Sequence, residues 1–219
     1  MKSLFPLLLI LIFNVGTVMP KTKNPLTSYQ KKRNFSQTPE PAGKVKKKQS
    51  KKLIFVIHKH AARNMHYDVR LEINGVLTSW AIPKGPSTST RVRHLAIPTE
   101  DHPMNYAKFE GVIPKGQYGA GPVMIWDTGT YTNIKKSDNK KVSMKECLKR
   151  GTIEVELHGK KLNGAYALIR TKAPGKTYWL LLKMRDAYAN KAIPATIKER
   201  SAKSGRTMKE IAKDDVSGD

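Results

Sequence analysis

Met65-His-Tyr-Asp-Val-Arg-Leu-Glu-Ile73, then Asn74-Gly75, then Val76-Leu-Thr-Ser-Trp-Ala-Ile82, is the stretch whose pattern decides the fold. From Met65 onward apolar and polar residues alternate strictly, as on a β-strand with one buried face. Tyr67, Val69, Leu71 and Ile73 form the apolar side, and His66, Asp68, Arg70 and Glu72 the other. Asn-Gly is a two-residue hairpin signal, because both residues tolerate the positive φ that a type I′ turn demands. Outward from this hairpin, further strands are expected at Leu53–His60, Arg93–Pro98, Val123–Asp127, Thr152–Leu157, Tyr166–Thr171 and Thr177–Met184. Turns are expected at Pro83–Pro86, Asp127–Gly129, His158-Gly159, Asn163-Gly164 and Pro174-Gly175. Within this region only Ser143–Lys149 reads as a helix. Many short strands with no βαβ alternation imply a mainly β chain, a barrel or a sandwich.

The polar face of the Met65–Ile73 strand has an unusual composition. A solvated face ordinarily carries Thr, Ser, Lys and Glu. Here His66 and Asp68 stand at i and i+2, about 7 Å apart along the strand, with Arg70 next. His60 precedes His66 across the short connection Ala61-Ala-Arg-Asn64, which can fold it back beside the pair. Two imidazoles and one carboxylate with positions to spare describe an open site for a divalent metal, and the arginine suits an anionic substrate. The competing reading is a chance grouping of surface histidines near an aspartate.

Charge narrows the choice of anion. Lys and Arg total 41 against 17 Asp and Glu, a formal net charge of +24. Such an excess costs the folded state self-repulsion, and its usual use is attraction to a polyanion. Part of it lies in the arm Lys44-Val-Lys-Lys-Lys-Gln-Ser-Lys-Lys52, which has too few apolar residues to pack and is expected to be mobile. Anionic lipid is an alternative target for such an arm. Nucleic acid accounts better for a chain that is basic throughout. The single cysteine, Cys147, excludes an internal disulfide framework and a cysteine-based zinc site. Roughly 135 residues between Leu53 and Tyr188 suffice for one core.

The N-terminus has two readings. Leu4-Phe-Pro-Leu-Leu-Leu-Ile-Leu-Ile-Phe13 looks like the apolar part of a signal peptide, yet no small-x-small cleavage site follows it. It is too short and interrupted for a comfortable membrane span. A start at Met19 is the alternative, and it is preferred here. The expectation is a cytoplasmic protein; it becomes an exported one if residues 1–18 are a true signal.

Phe55-Val-Ile-His-Lys-His60, His66-Tyr-Asp-Val-Arg-Leu-Glu72, Ser79-Trp-Ala-Ile-Pro-Lys-Gly-Pro86, Glu100-Asp-His-Pro103 and Phe109-Glu-Gly-Val-Ile-Pro-Lys-Gly-Gln-Tyr-Gly119 follow one another in an order that closely resembles the phosphoesterase module of bacterial DNA ligase D. The resemblance runs from about Leu26 to Asp186 and takes in Tyr29-Gln-Lys-Lys-Arg-Asn-Phe-Ser-Gln-Thr-Pro-Glu-Pro41. No lysine-centred Lys-x-Asp-Gly nucleotidyl-transfer motif is present. The resemblance implies a compact β-barrel with few short helices and flexible basic tails. The implied domains are an apolar segment at 1–20, an N-terminal motif and basic arm at 21–52, the barrel at 53–187 and a tail at 188–219. The implied activity is DNA 3′-end healing with a divalent ion, typically manganese: a terminal ribonucleoside is removed, then the 3′-phosphate, leaving a 3′-hydroxyl.

Carried over position by position, His60, His66 and Asp68 match the metal ligands. Arg70 and His102 match phosphate contacts, Lys84 and Tyr106 match further active-site groups, and Arg33 and Glu40 match N-terminal residues that complete the site. Chemically, Arg70 is placed for a bidentate phosphate contact, and His102 for binding phosphate or protonating the leaving group. Two positions depart from the family pattern: Asn34 replaces an expected aspartate, and His94 an expected phosphate-binding arginine. The implied partners are primer–template 3′ ends and a separate ligase and polymerase of an end-joining pathway, with a monomer that forms no stable membrane association. Ser204–Ile211 resembles the segment after this module in larger ligases and is expected to form a short docking helix, while the stretch after Asn190 is otherwise expected to be mobile. Two rival functions stay open: a basic nucleic-acid-binding β-module with inert histidines, and an iron(II) oxygenase using His66, Asp68 and His102 as a facial triad.

Overall fold

The computed structural model describes residues 24–47, 51–173 and 176–215. The apolar Leu4–Phe13 run and the expected Pro174-Gly175 turn lie outside these residues. Strands β1 (Leu53–Ala61), β2 (Met65–Ile73), β3 (Val76–Ile82), β4 (Arg93–Pro98), β5 (Gly111–Ile113), β6 (Gly121–Asn133), β9 (Thr152–Gly159), β10 (Asn163–Ala173) and β11 (Lys176–Lys183) form one antiparallel sheet, and β7 (Lys136–Ser137) and β8 (Lys140–Lys141) a separate small hairpin. The large sheet runs β1-β2-β3-β4-β11-β10-β9-β6, and β6 also pairs with β1. That pairing closes an eight-stranded barrel, while β5 adds to the end of β6. Closure leaves the barrel strands without an open edge, so their backbone groups pair internally.

Asn74 and Gly75 have φ of 52° and 80°, the mirror-image turn expected of Asn-Gly. The alternating residues of β2 divide as their chemistry requires. Val69, Leu71 and Ile73 join Phe55, Ile57, Trp80, Trp126 and Trp179 in the barrel core. The opposite face is not solvated: Asp68, Arg70 and Glu72 are 5, 3 and 0 % exposed. It is roofed by a second apolar cluster in which Tyr29, Val56, Leu77, Tyr106 and Ile125 meet, with Phe35, Met104 and Phe109 packed alongside. The roof comes from helix α1 (Thr27–Lys31) and the 3-10 turn Met104–Lys108. Polar strand residues are therefore buried beneath a lid that pairs with them.

Several local expectations are corrected. Asp127–Gly129, expected as a turn, lies within β6 at a bulge: Ile57 faces Asp127 while His58 faces Ile125, leaving Trp126 as the extra residue. The buried Asp127 carboxylate accepts N–H groups from Thr128, Lys160, Lys161 and Leu162, so it anchors the β9–β10 turn. Asn163-Gly164 opens β10, paired to His158 and Leu157, because the turn is made by Lys160–Leu162 just before it. Helix α2 (Met144–Arg150) starts at the Ser143 cap and ends at Gly151, φ 81°, where a left-handed residue terminates it.

Residues 191–215, within the stretch expected to be mobile, are held against the barrel at several points. They carry α3 (Ala195–Lys198) and α4 (Met208–Ala212), and α4 is closed by a Thr207–Glu210 capping box. Ile211 is fully buried in the main core, Trp126 Nε1 donates to Lys198 O at 2.7 Å, and Ala202 N donates to Ile125 O at 2.8 Å. One apolar side chain seated in the core outweighs the charge of the surrounding segment. The basic arm is likewise held at one point, with Lys46 N donating to Gly75 O at 2.9 Å. Among the described residues no helix is long and apolar enough to cross a membrane.

Candidate metal centre

The β1–β2 hairpin does the first part of the assembly. Its register sets His60 directly opposite His66 and His58 opposite Asp68, and directly opposed residues of an antiparallel pair project to the same side. One ligand atom from each of His60, His66 and Asp68 lies within 4.8 Å of the others. Asp68 Oδ2 is 3.8 Å from His60 Nδ1 and 3.7 Å from His66 Nε2.

The remote ring nitrogens show what the facing ones are for. His60 Nε2 lies 2.8 Å from the Gly119 carbonyl, and His66 Nδ1 lies 2.9 Å from the Asn64 carbonyl. A carbonyl only accepts, so each remote nitrogen carries a proton, and the nitrogen turned toward Asp68 is the one left to act as a metal ligand. Two ring nitrogens and a carboxylate oxygen converging on one point are a ready set of ligands for a cation. Backbone carbonyls that set the tautomer of metal-binding histidines are the usual supporting arrangement. Gly119 reaches this geometry at φ 80°, which a side chain rarely adopts. The donor set fits a divalent transition metal with coordination positions left open.

Arg70 ties this group to its surroundings. Its Nη2 donates to Asp68 Oδ2 at 3.0 Å, its Nε to His58 Nδ1 at 3.2 Å and its Nη1 to Ser79 Oγ at 2.9 Å. Burial by itself would raise the Asp68 pKa; Arg70 and the two histidines outweigh it and hold the carboxyl well below its usual range. With Nε, Nη1 and Nη2 each donating to a protein group the fork is largely committed to protein partners, and His102 Nδ1, 2.9 Å from Nη1, is itself 2.8 Å from the Glu100 carbonyl. His102 sits between two guanidinium groups, with Arg33 Nη2 3.4 Å from its Nε2. Burial, then Arg70 and Arg33, push its pKa well below 6.5. Burial and the two guanidinium groups thus favour the neutral ring.

Arg33 reaches in from the N-terminal motif. It pairs with Glu40 at 2.9 Å and Glu100 at 3.1 Å, and its guanidinium stacks 3.8 Å from the Tyr29 ring centre. Glu40 also accepts from the Tyr106 hydroxyl at 3.0 Å. It stands behind Arg33 and Tyr106, outside the cavity lining, and so supports the wall without meeting substrate. The cavity has a volume of about 540 Å³, and His60, His66, Asp68, Arg70, Arg33, His102 and Tyr106 line it.

Two expected residues are not brought in. Lys84 is exposed on the turn after β3, three residues past cavity-lining Ala81. His94 falls on the inward register of β4, since Ala96 two residues on is fully buried in the core, and it bonds to the Gly85 carbonyl. Asn34, the other departure, is exposed and accepts from Ser36 N and Oγ in a local turn. The rival facial triad is not assembled among the described residues: His102 lies against Arg70, Arg33 and the Glu100 carbonyl, and His60 takes the place beside His66 and Asp68.

Other residues of the site were missed from sequence. His58 is fully buried beneath Arg70; its signal was the His-x-His spacing on one strand face. Glu100 bridges Lys32 and Arg33. Arg63, on the hairpin loop, lines the cavity, is exposed, and makes no hydrogen bond or ion pair among the described residues. Tyr118 lines the opposite loop. Neither loop residue had a pattern to mark it.

A family model described as the DNA ligase D 3′-phosphoesterase domain matches residues 58–170, which contain most of the barrel, the three converging ligands, Arg70 and His102. The chain belongs to that family. It is 46 % identical over 173 residues to the multifunctional non-homologous end joining protein LigD of Pseudomonas aeruginosa, a match covering 78 % of this chain. Identity is 47 % over 161 residues to the multifunctional non-homologous end joining DNA repair protein LigD of Mycobacterium tuberculosis, and 47 % over 166 residues to LigD of Mycolicibacterium smegmatis, each covering 74 % of this chain. The matched part spans only about a fifth of the length of these relatives.

Proposed function

We propose that this chain is a divalent-metal-dependent DNA 3′-phosphoesterase that removes a 3′-terminal ribonucleoside and then the remaining 3′-phosphate, leaving a 3′-hydroxyl for end joining. The observation that carries the reading is the convergence of two histidine ring nitrogens and the Asp68 carboxylate in an open cavity, beside Arg63, which has no partner among the described residues. Family membership supports the same chemistry. Manganese is the proposed ion. Bound at His60, His66 and Asp68, it supplies Lewis-acid polarisation of a phosphate oxygen.

The protein's own groups do the rest. Arg70 keeps Asp68 ionised and aimed, because its Nη2 bond fixes the carboxylate rotamer. His58 and Ser79 hold Arg70 in turn. Arg63 is free to neutralise a non-bridging phosphate oxygen by a charge-assisted hydrogen bond. Arg33, His102 and Tyr106 form a rigid wall braced by Glu40 and Glu100. The proposed substrate is the 3′ end of a primer–template, attracted by the chain's net charge of +24. The proposed partners are a separate ligase and polymerase, and the proposed location is the cytoplasm, where chromosomal DNA lies in a prokaryote.

The test is manganese-dependent release of inorganic phosphate from a 3′-phosphorylated primer–template, run beside isothermal titration of manganese. Wild type should bind one ion and turn over. His60→Ala, His66→Ala and Asp68→Ala should each lose at least about 100-fold in both affinity and rate, because one ligand of three is gone. Ion binding without phosphate release would refute the esterase reading, and leave the non-catalytic nucleic-acid module in its place.

A further inference from the structure

We propose that Tyr118 is the platform on which the base of the 3′-terminal nucleoside stacks; this rests on the end-healing reading above and adds the part of the substrate that the metal centre does not touch. Tyr118 lies in the loop between β5 and β6 and lines the same cavity as His60, His66 and Asp68. It is 51 % exposed and belongs to neither apolar cluster. An aromatic side chain this open to water adds little buried apolar surface to the fold, yet it is held in place. The loop is closed by two backbone bonds, Gln117 N to Pro114 O and Ala120 N to Gln117 O, both at 3.1 Å.

Cations then orient the ring without covering it. The Lys32 ammonium lies 4.5 Å from the ring centre and donates to the Tyr118 hydroxyl at 3.2 Å. The Arg33 guanidinium carbon lies 5.7 Å from the same centre. Lys32 is itself tethered to Glu100 at 2.9 Å, so α1 and the Glu100 loop together set the ring. The residue as a whole stays 51 % exposed, which leaves surface for a flat π-system. The next residue, Gly119, orients the metal ligand His60 through its carbonyl. A nucleotide whose 3′-phosphate lies at the metal centre thus has an aromatic surface one residue from a ligand's own anchor. Every nucleobase offers a π-face, so the contact recognises a base without reading its identity.

The experiment compares two 3′-phosphorylated primer–templates, one with an ordinary terminal nucleotide and one whose terminal sugar lacks a base. Tyr118→Ala should raise KM on the base-bearing end by about 5- to 150-fold, the range of a lost stacking contact, with kcat within a few-fold. On the abasic end Tyr118→Ala and wild type should match, and Tyr118→Phe should stay near wild type on both. A purely structural role, acting through Gly119 and His60, would lower activity equally on the two ends and would overturn the proposal. So would no change on either. A second arm needs no turnover: a primer–template ending in 2-aminopurine should change fluorescence on binding to wild type and much less on binding to Tyr118→Ala. Equal fluorescence changes for the two proteins would also overturn it. If wild type releases phosphate from neither end, the esterase reading fails, and the fluorescence arm alone decides the platform.

Discussion

Arg63 and Asp101 show how single side chains are set by what does or does not touch them. Of the arginines lining the cavity, Arg33 and Arg70 spend their donors on Glu40, Glu100, Asp68, Ser79 and His58, while Arg63 has no partner among the described residues. Arg63→Ala should therefore lower kcat/KM for a 3′-phosphorylated end by about 10- to 100-fold, the worth of a charged hydrogen bond. The inhibition constant of inorganic phosphate should rise in step, with manganese affinity unchanged. Loss of manganese binding would count against the role. Asp101 is a carboxyl whose pKa burial pushes up to about 6, only partly offset by a hydrogen bond with Thr78. Its folded-state pKa lies above the unfolded value, so folding favours the protonated form. Its contribution is complete below about pH 4 and is lost as pH rises through about 6. Asp101→Asn should thus raise stability by about 3 kcal/mol above pH 7 and by almost nothing at pH 3. Urea midpoints at the two pH values check the sign.

At the scale of elements, the hairpin and the C-terminal strap do different work. The β1–β2 hairpin sets the His60–His66 register, and a one-residue slip would turn one histidine into the core. Deleting Ala62 from the hairpin loop should therefore abolish manganese binding while circular dichroism still reports a β-sheet. The strap seats one apolar residue, Ile211, in the barrel core. Ile211→Ala should cost about 2–5 kcal/mol and, for a domain of this size, lower Tm by several degrees or more. Differential scanning calorimetry measures this directly. An unchanged Tm would mean that the strap does not support the barrel.

For the whole molecule, the decisive quantity is the charge of +24. Affinity for a primer–template should fall at least about tenfold between about 50 and 200 mM salt, because bound phosphates release counterions. Lys51, Lys52 and Lys141 line a second recess, at the start of β1 and the end of β6, about 20 Å along the strand from His60. Replacing any one by Gln should flatten the salt slope by about 1 if it meets the duplex backbone. Equilibrium binding at four salt concentrations gives that slope, and an unaltered slope removes the lysine from the footprint.

The sequence by itself determined whatever depends on near neighbours along the chain. Alternation from Met65 to Ile73, the Asn74-Gly75 turn and the Ser143 cap each specify backbone geometry within a few residues, so the strands, the hairpin and α2 were legible. The pairing of His60 with His66 was legible for the same reason, since one short loop joins them. Tertiary structure alone decided the rest. That Arg70 is committed to Asp68, His58 and Ser79, that Glu40 stands behind the wall, and that Lys84 and His94 lie outside the cavity all depend on contacts across the barrel and from the N-terminal motif. The ring tautomers of His60 and His66 were equally hidden, since one of the two carbonyls that set them is 59 residues away. Local pattern encodes which way a side chain points, but the partner it meets there belongs to a distant part of the chain, and only closure of the barrel brings the two together.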